Sequence, residues 1–370
     1  MASPNNFTIG VEEEYQIVDP GSRQLRQRAG RVLPEARRSV GDEVTNELYL
    51  SQIEIGTQIC RSLAEVRAEL IRLRGAVIQA AAHSGCRIVS AGTHPFSRWE
   101  NQTITPKDRY DTILQEFQQI TREQIIFGCH VHVGIEDREQ AIHVMNQARP
   151  WLPVLLALSA NSPFWQGRDT GYASYRTELF GRFPMTGIPA DFASRAEFDE
   201  VIRTLIAMET IEDGSKIYWD IRPSTHFETL EFRIADVCPT VDEAVMIAGL
   251  CRALAIASLD DSTPELPSMG HRPEILRASK WRAARFGLEG DLIEPHELKA
   301  VPARRVVHAF LEFLRPTLDQ LGDWEEISGL VGNVLDRGNG AARQRRVFLN
   351  SGRHEDVVDF LIIETSRDVG

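Results

Sequence analysis

The chain has 370 residues, and its 53 acidic side chains against 41 Lys and Arg leave a formal net charge of −12, with no dense basic run to serve as a nucleic-acid footprint. With 42% hydrophobic and 25% charged residues it falls in the ordinary globular range, which excludes a disordered chain, a collagen and a membrane bundle. No stretch approaches the roughly 18 apolar residues of a membrane span, and five scattered cysteines without a CxxC pair give neither a disulfide framework nor a zinc ribbon, so a reducing cytoplasmic setting is expected.

Phe7–Val18 alternates around a glutamate-rich centre and stops at Asp19-Pro20-Gly21. That pattern predicts a strand with Glu12 and Glu14 on one face and Glu13 on the other. Leu48–Ile55 reads as a second strand. Ser62 with Glu65 forms a capping-box signal, and Leu63, Val66, Leu70, Leu73 and Val77 recur at helical spacing, so a helix is expected to run to near Gly85. A short strand at Cys86–Ala91 and a helix at Asp108–Ile120 follow. An alternating strand at Gly128–Ile135 then puts His130 and His132 on one face. Asp137 and Gln140 open a helix through Ser159 that Pro150 and Pro153 must kink or divide. Residues 161–193, rich in Gly, Pro, Tyr and Arg and without sustained period, read as a long functional loop. Lys216–Ile221 and Phe227–Ile234 form a predicted hairpin, and Thr240 with Glu243 starts the next helix. Beyond it Pro273–Phe286, Arg304–Leu321, Trp324–Leu335 and His354–Ile363 read as amphipathic helices. Strands concentrate before residue 235 and helices after it, without regular βαβ alternation. The fold class is therefore α+β with a mainly antiparallel sheet, in one domain over residues 1–370.

Acids stand where a strand ordinarily places apolar side chains: Glu12, Glu13 and Glu14 in the first strand, Glu54 between Ile53 and Ile55, and Glu231 between Leu230 and Phe232. Two anions about 4 Å apart repel by about 4 kcal/mol at an effective dielectric near 20, and burial adds to that cost. A divalent cation removes both. Magnesium prefers oxygen ligands and is commonly shared with substrate phosphates, so scattered glutamates suit it better than they suit zinc. A lone glutamate is more often a solvated strand residue or half of a salt bridge; several beside a histidine favour a cluster. His130-Val131-His132 also has the spacing used by zinc hydrolases, but the later histidines form no second ligand-spaced pair. Neither a GxxxxGK[ST] loop nor a GxGxxG turn is present, so a nucleotide site must be built from metals and arginines.

Seven segments occur in order: Gly10-Val11-Glu12-Glu13-Glu14-Tyr15, Ala91-Gly92-Thr93-His94-Pro95-Phe96, Gly128-Cys129-His130-Val131-His132-Val133-Gly134, Leu158-Ser159-Ala160-Asn161-Ser162-Pro163-Phe164-Trp165, Trp219-Asp220-Ile221-Arg222-Pro223-Ser224, Leu230-Glu231-Phe232-Arg233-Ile234-Ala235-Asp236 and Gly340-Ala341-Ala342-Arg343-Gln344-Arg345. In these the chain resembles, over essentially its whole length, the carboxylate-amine ligase family, also called the type 2 glutamate-cysteine ligase family. The resemblance implies a glutamine-synthetase-like or guanido-kinase-like fold, with a curved antiparallel sheet lining a funnel and helices outside. It implies that ATP phosphorylates a carboxylate and that an amine then displaces phosphate from the acyl phosphate.

On the same ground Glu12, Glu14, Glu47, Glu54, His130 and Glu231 are the expected ligands of magnesium, with manganese as its alternative. Glu47 lies an odd seven residues before Glu54 and can join it only if the chain bends. Arg233 and Arg222 are expected at the phosphates, Arg176, Tyr175 and Arg222 at a substrate carboxylate, and Arg343 and Arg345 at ATP. The implied substrates are a small carboxylate, glutamate first, and an amine such as cysteine or another amino acid. Neither nucleic acid nor membrane is an expected partner, and a homo-oligomer is left open. The competing readings are a phosphotransferase of the same fold, a zinc hydrolase on the His-x-His strand, and a non-catalytic nucleotide-binding protein. Gln in place of Glu12 or Glu231 is expected to relieve anion repulsion in the metal-free protein.

Overall fold

Strand β1 (Ile9–Val18) alternates as its sequence predicts: Ile9, Val11, Glu13, Tyr15 and Ile17 are fully buried, while Gly10, Glu12 and Glu14 face a partly open surface. A computed structural model describes residues 7–260 and 266–369 and sets this strand in the middle of a seven-stranded sheet. Its other strands are β2 (Val44–Asn46), β3 (Gln52–Gly56), β4 (Arg87–Val89), β5 (Gly128–Gly134), β6 (Ile221–Pro223) and β7 (Thr229–Asp236). The order is β6-β7-β5-β1-β3-β2, every pairing is antiparallel, and β4 pairs with the last residues of β1.

The inner face of the sheet packs on helices Leu63–His83 and Val241–Ala257. Only Asp242 and Ile256 of the second helix escape full burial, so it is a core helix, and its two buried charges, Glu243 and Arg252, are ion-paired with Arg343 and Asp323. Each fully buried Val, Leu or Ile there stabilises the fold by about 1.5–3 kcal/mol before conformational entropy is charged against it. A fully buried ion pair lies between the first of these helices and β1. Arg74 donates to Glu13 from Nη2 (2.5 Å) and Nε (2.9 Å), and to the carbonyls of Cys238 and Pro239; the Tyr15 hydroxyl also donates to Glu13. Both charged side chains are fully buried, so their polar atoms must be satisfied by one another and by these carbonyls.

The predicted helix at Asp108–Ile120 breaks at Gln118, whose φ is +48°, into Asp108–Phe117 and Gln119–Arg122. The segment 161–193 is not wholly irregular: Ser174 caps a short helix, Tyr175–Phe180. Three helices escape the periodicity reading, Ala29–Val40, Arg195–Ala207 and Gly340–Ser351, as does the hairpin Asp291–Glu294 with Lys299–Pro302. Pro34 sits inside the first of these helices, and only a narrow stripe of small residues, Ala29, Val32, Ala36 and Val40, is buried. Among the described residues no helix is long and apolar enough to cross a membrane.

Candidate active site

Antiparallel register brings the acids together. Glu14 stands opposite Glu54, Glu12 opposite His130, Glu231 opposite His132, and Arg222 opposite Glu231, all on the outer face. Glu12 joins the two imidazoles: its Oε2 lies 3.1 Å from His130 Nδ1 and its Oε1 3.3 Å from His132 Nε2. The second contact lacks hydrogen-bond alignment, and His132 Nε2 has no hydrogen-bond partner among the described residues. Glu231 accepts from Arg222 Nε at 2.8 Å and is ion-paired with Arg233. Glu14 accepts from the Gly128 amide at 2.5 Å, and Thr45 donates to Glu54 at 3.1 Å. Glu47 arrives from the connection between β2 and β3, which folds back so that its carboxyl comes within 4.8 Å of those of Glu14 and Glu54. The bend overrides strand parity.

Three groups result whose ligand atoms lie within 4.8 Å of one another: Glu12, His132 and Glu231; Glu12, Glu54 and His130; Glu14, Glu47 and Glu54. Five carboxylates against two imidazoles are a donor set for hard divalent cations. His132 is absent from the expected ligands, although its place two residues from His130 on the same face is the signal that finds it.

The titration behaviour of these acids divides them. Burial, then the charge of Glu47, pushes Glu14 up to about 7. Burial followed by the charges of Glu47, Glu12 and Glu14 holds Glu54 well above the usual carboxylate range, and burial raises Glu47. Burial also opposes ionisation of Glu12, but the two imidazoles close against it, His130 and His132, win and hold it well below that range. For Glu231 the charges of Arg233 and Arg222 likewise outweigh burial. This corrects the expectation of relief at Glu12 and Glu231: each is already compensated, and the uncompensated anions are Glu14, Glu47 and Glu54.

The sign of the pH dependence follows. An acid whose pKa is raised on folding holds its proton more tightly in the folded state, so its contribution to stability is present at low pH and is lost as pH rises through the folded value. A divalent cation competes with these protons. Magnesium is therefore expected to raise the melting temperature more at pH 8.5 than at pH 5.5, and Glu54→Gln to raise that of the metal-free protein at pH 8.5 by a few degrees. Glu231→Gln should lower it, because Arg222 and Arg233 lose their counter-ion. Thermal unfolding with and without magnesium at both pH values checks this, and equal shifts would remove these three acids from the ligand set.

The outer face opens into two abutting cavities that share Glu12, Glu54, His132, His226 and Phe227. The narrower, about 310 Å³, continues past Glu14, Glu47, Arg176, Arg222 and Arg233; the wider, about 820 Å³, continues past Gly10, Thr45, Gly56 and Thr229. Arg176 is 4% exposed. It donates to the carbonyls of Arg233 and Ile234, lies 3.8 Å from Asp236, and leaves Nε without a partner among the described residues. Asp236 in turn accepts from the Asn161 amide and from the hydroxyls of Ser162 and Ser174, which fixes the start of the helix carrying Arg176. Gly128 is required here, since a Cβ would stand 2.4 Å from Arg176 Nη2.

Three expected ligand-binding residues lie outside both cavities. Arg343 is buried between Glu243 and Glu364, Arg345 pairs with Asp169 at 2.7 Å, and Tyr175 packs against Trp165 and Tyr172. The two arginines hold Gly340–Ser351 to its neighbours.

The model of glutamate-cysteine ligase family 2 matches residues 8–360. The chain belongs to this family. A relative from Roseiflexus castenholzii, named "Putative glutamate–cysteine ligase 2", is 44% identical over 369 residues, which are 100% of this chain and 97% of that protein. One of the same name from Herpetosiphon aurantiacus is 43% identical over 363 residues, 98% and 94% of the two chains. The solved glutamate–cysteine ligase of Francisella tularensis, in complex with AMP, has the same fold at a TM-score of 0.73 and 12% identity, over 99% of this chain and 90% of that one. The bifunctional glutathione synthetase of Pasteurella multocida gives 0.72 and 16%, over 99% and 53%. As a member of glutamate-cysteine ligase family 2 the protein is an enzyme, a ligase joining a carboxylate to an amine, with amino acids as substrates.

Proposed function

We propose that the enzyme uses ATP to activate the γ-carboxylate of glutamate as an acyl phosphate and then transfers the acyl group to an amine. The observation that carries this reading is the convergence of five carboxylates and two imidazoles beside Arg222 and Arg233 in one cavity. In the first step a carboxylate oxygen attacks the γ-phosphorus and the bond to ADP breaks. In the second the amine nitrogen attacks the acyl carbon, inorganic phosphate leaves, and the nitrogen gives up a proton to solvent.

Arg233 and Arg222 hold fixed positive charge beside the acids, where it opposes the charge that develops on the phosphoryl oxygens. Both arginines line the narrow cavity. Arg176, which lines the same cavity, is the candidate partner of a substrate carboxylate. Magnesium, held by Glu12, Glu14, Glu47, Glu54, His130, His132 and Glu231, would neutralise the phosphates and polarise their oxygens. The wider cavity has room for the nucleoside, and the AMP bound by the Francisella protein supports nucleotide use. The meeting of the two cavities at the row of acids supports the funnel that the family resemblance implies. Phosphate release by purified protein with ATP, magnesium, glutamate and an amino-acid panel is expected only when both organic substrates are present. Turnover independent of amine rejects ligation.

A further inference from the structure

Four arginines line the narrow cavity, and three of them have an acid within reach: Arg222 and Arg233 pair with Glu231, and Arg176 lies 3.8 Å from Asp236. The fourth, Arg109, is exposed and makes no hydrogen bond or ion pair among the described residues. It stands in the first turn of the helix Asp108–Phe117, one residue before Tyr110, which is buried and whose hydroxyl donates to the Asn46 carbonyl at 3.2 Å. That bond holds the start of the helix beside the connection that carries Glu47. Burial raises both Glu47 and Tyr218, and the charge of Arg109 opposes the rise at each, so the guanidinium is within electrostatic reach of the acid row and of Tyr218. An exposed cation on a cavity lining, with no counter-ion of its own, is the group that an incoming anion meets first.

We propose that Arg109 binds the α-carboxylate of the amine substrate where the narrow cavity opens to solvent. This rests on the ligase reading above and adds the residue that selects an α-amino acid over a simple amine. A ligase that joins two amino acids must hold two α-carboxylates besides the phosphates. In that reading Arg222 and Arg233 serve the phosphates, which leaves buried Arg176 and exposed Arg109. The acid that is phosphorylated must reach the row of metal ligands and binds deep, beside Arg176. The amine arrives at the finished acyl phosphate, so its carboxylate stays nearer to solvent, at Arg109. The nucleoside does not compete for this residue, because Arg109 is not part of the lining of the wider cavity. A guanidinium fork meets a carboxylate through two parallel N–H···O bonds, a geometry that an ammonium does not reproduce.

The test is a set of initial rates with ATP, magnesium and glutamate, with each product identified by mass spectrometry. The amines are the α-amino acid of the panel that is used best, its decarboxylated analogue (cysteamine where the acid is cysteine) and hydroxylamine, which captures an acyl phosphate as the hydroxamate and has no carboxylate. In the wild type, kcat/KM for the α-amino acid should exceed that for its decarboxylated analogue about tenfold or more, the scale of charge-assisted hydrogen bonds. Arg109→Gln should raise the KM of the α-amino acid about tenfold and change kcat less than about threefold, the pattern of lost binding rather than lost chemistry. It should also close most of the gap to the decarboxylated analogue, keep the KM of ATP and of glutamate within about twofold, and leave hydroxamate formation unchanged. Arg109→Lys should fall between wild type and Arg109→Gln. A rise in the KM of glutamate or ATP in place of that of the amine overturns this inference alone. So does equal use of the α-amino acid and its analogue by the wild type, or a loss of hydroxamate formation in Arg109→Gln as large as the loss of ligation. Absence of amide and hydroxamate alike overturns the ligase reading, and the inference with it.

Discussion

Glu12→Gln is expected to lower kcat by on the order of 10³-fold in a protein that still folds. Glu12 is common to two of the three ligand groups, and it is the residue through which His130 and His132 are held on the same carboxylate. The amide removes the negative charge and turns an NH₂ donor toward one imidazole, so both groups lose their shared anion at once. A divalent ion contributes several kcal/mol of charge stabilisation in phosphoryl and acyl chemistry, and each 1.36 kcal/mol is about tenfold in rate. Saturating magnesium should recover little, since the lost ligand also sets where the ion sits. Steady-state kinetics with circular dichroism of the same sample checks this. A fall of less than tenfold would move Glu12 out of the reaction centre.

What could be read in advance divides along one physical line. Glu12, Glu14, Glu54, His130 and Glu231 were legible because strand alternation is strictly two-residue, and register then carries each side chain onto a common face. Glu47 was not legible by that rule, since its approach to Glu54 depends on a connection that turns back. The sign of the environment at Glu231 was lost for a related reason. Its neighbours are set by the cross-strand partner Arg222 and by Arg233 two residues on, and together they make it a compensated anion. Arg343 shows the limit of motifs: the Gly340–Arg345 segment is one of seven that carry the family resemblance, yet only packing shows that its arginine lies between Glu243 and Glu364. The aromatic cluster on the narrow cavity was hidden for a third reason: Phe180 ends a short helix, Phe183 follows it and Tyr218 comes from a two-residue strand, so the three rings meet only in the folded chain.

Loss of Arg74 is expected to cost the fold more than any substitution in the cavity. Arg74→Met keeps the length of the side chain and leaves Glu13 fully buried without its counter-ion, the situation that costs about 3–5 kcal/mol when one partner of a buried pair is removed. The carbonyls of Cys238 and Pro239 lose their donor as well. Urea unfolding should show that loss, with a fall in melting temperature of roughly 5–10 °C. The double variant Glu13→Leu with Arg74→Met should recover more than half of it, because no charge is then left unpaired. A single-variant cost under about 1 kcal/mol would mean that Glu13 finds other compensation. The consequence reaches the site through β1. Glu13 is the back-face residue between Glu12 and Glu14, so the pair that anchors it fixes the twist and register by which the two flanking acids reach the front face. Arg74→Met should therefore weaken magnesium binding as well as the fold, although Arg74 lies on the opposite side of the sheet from every ligand.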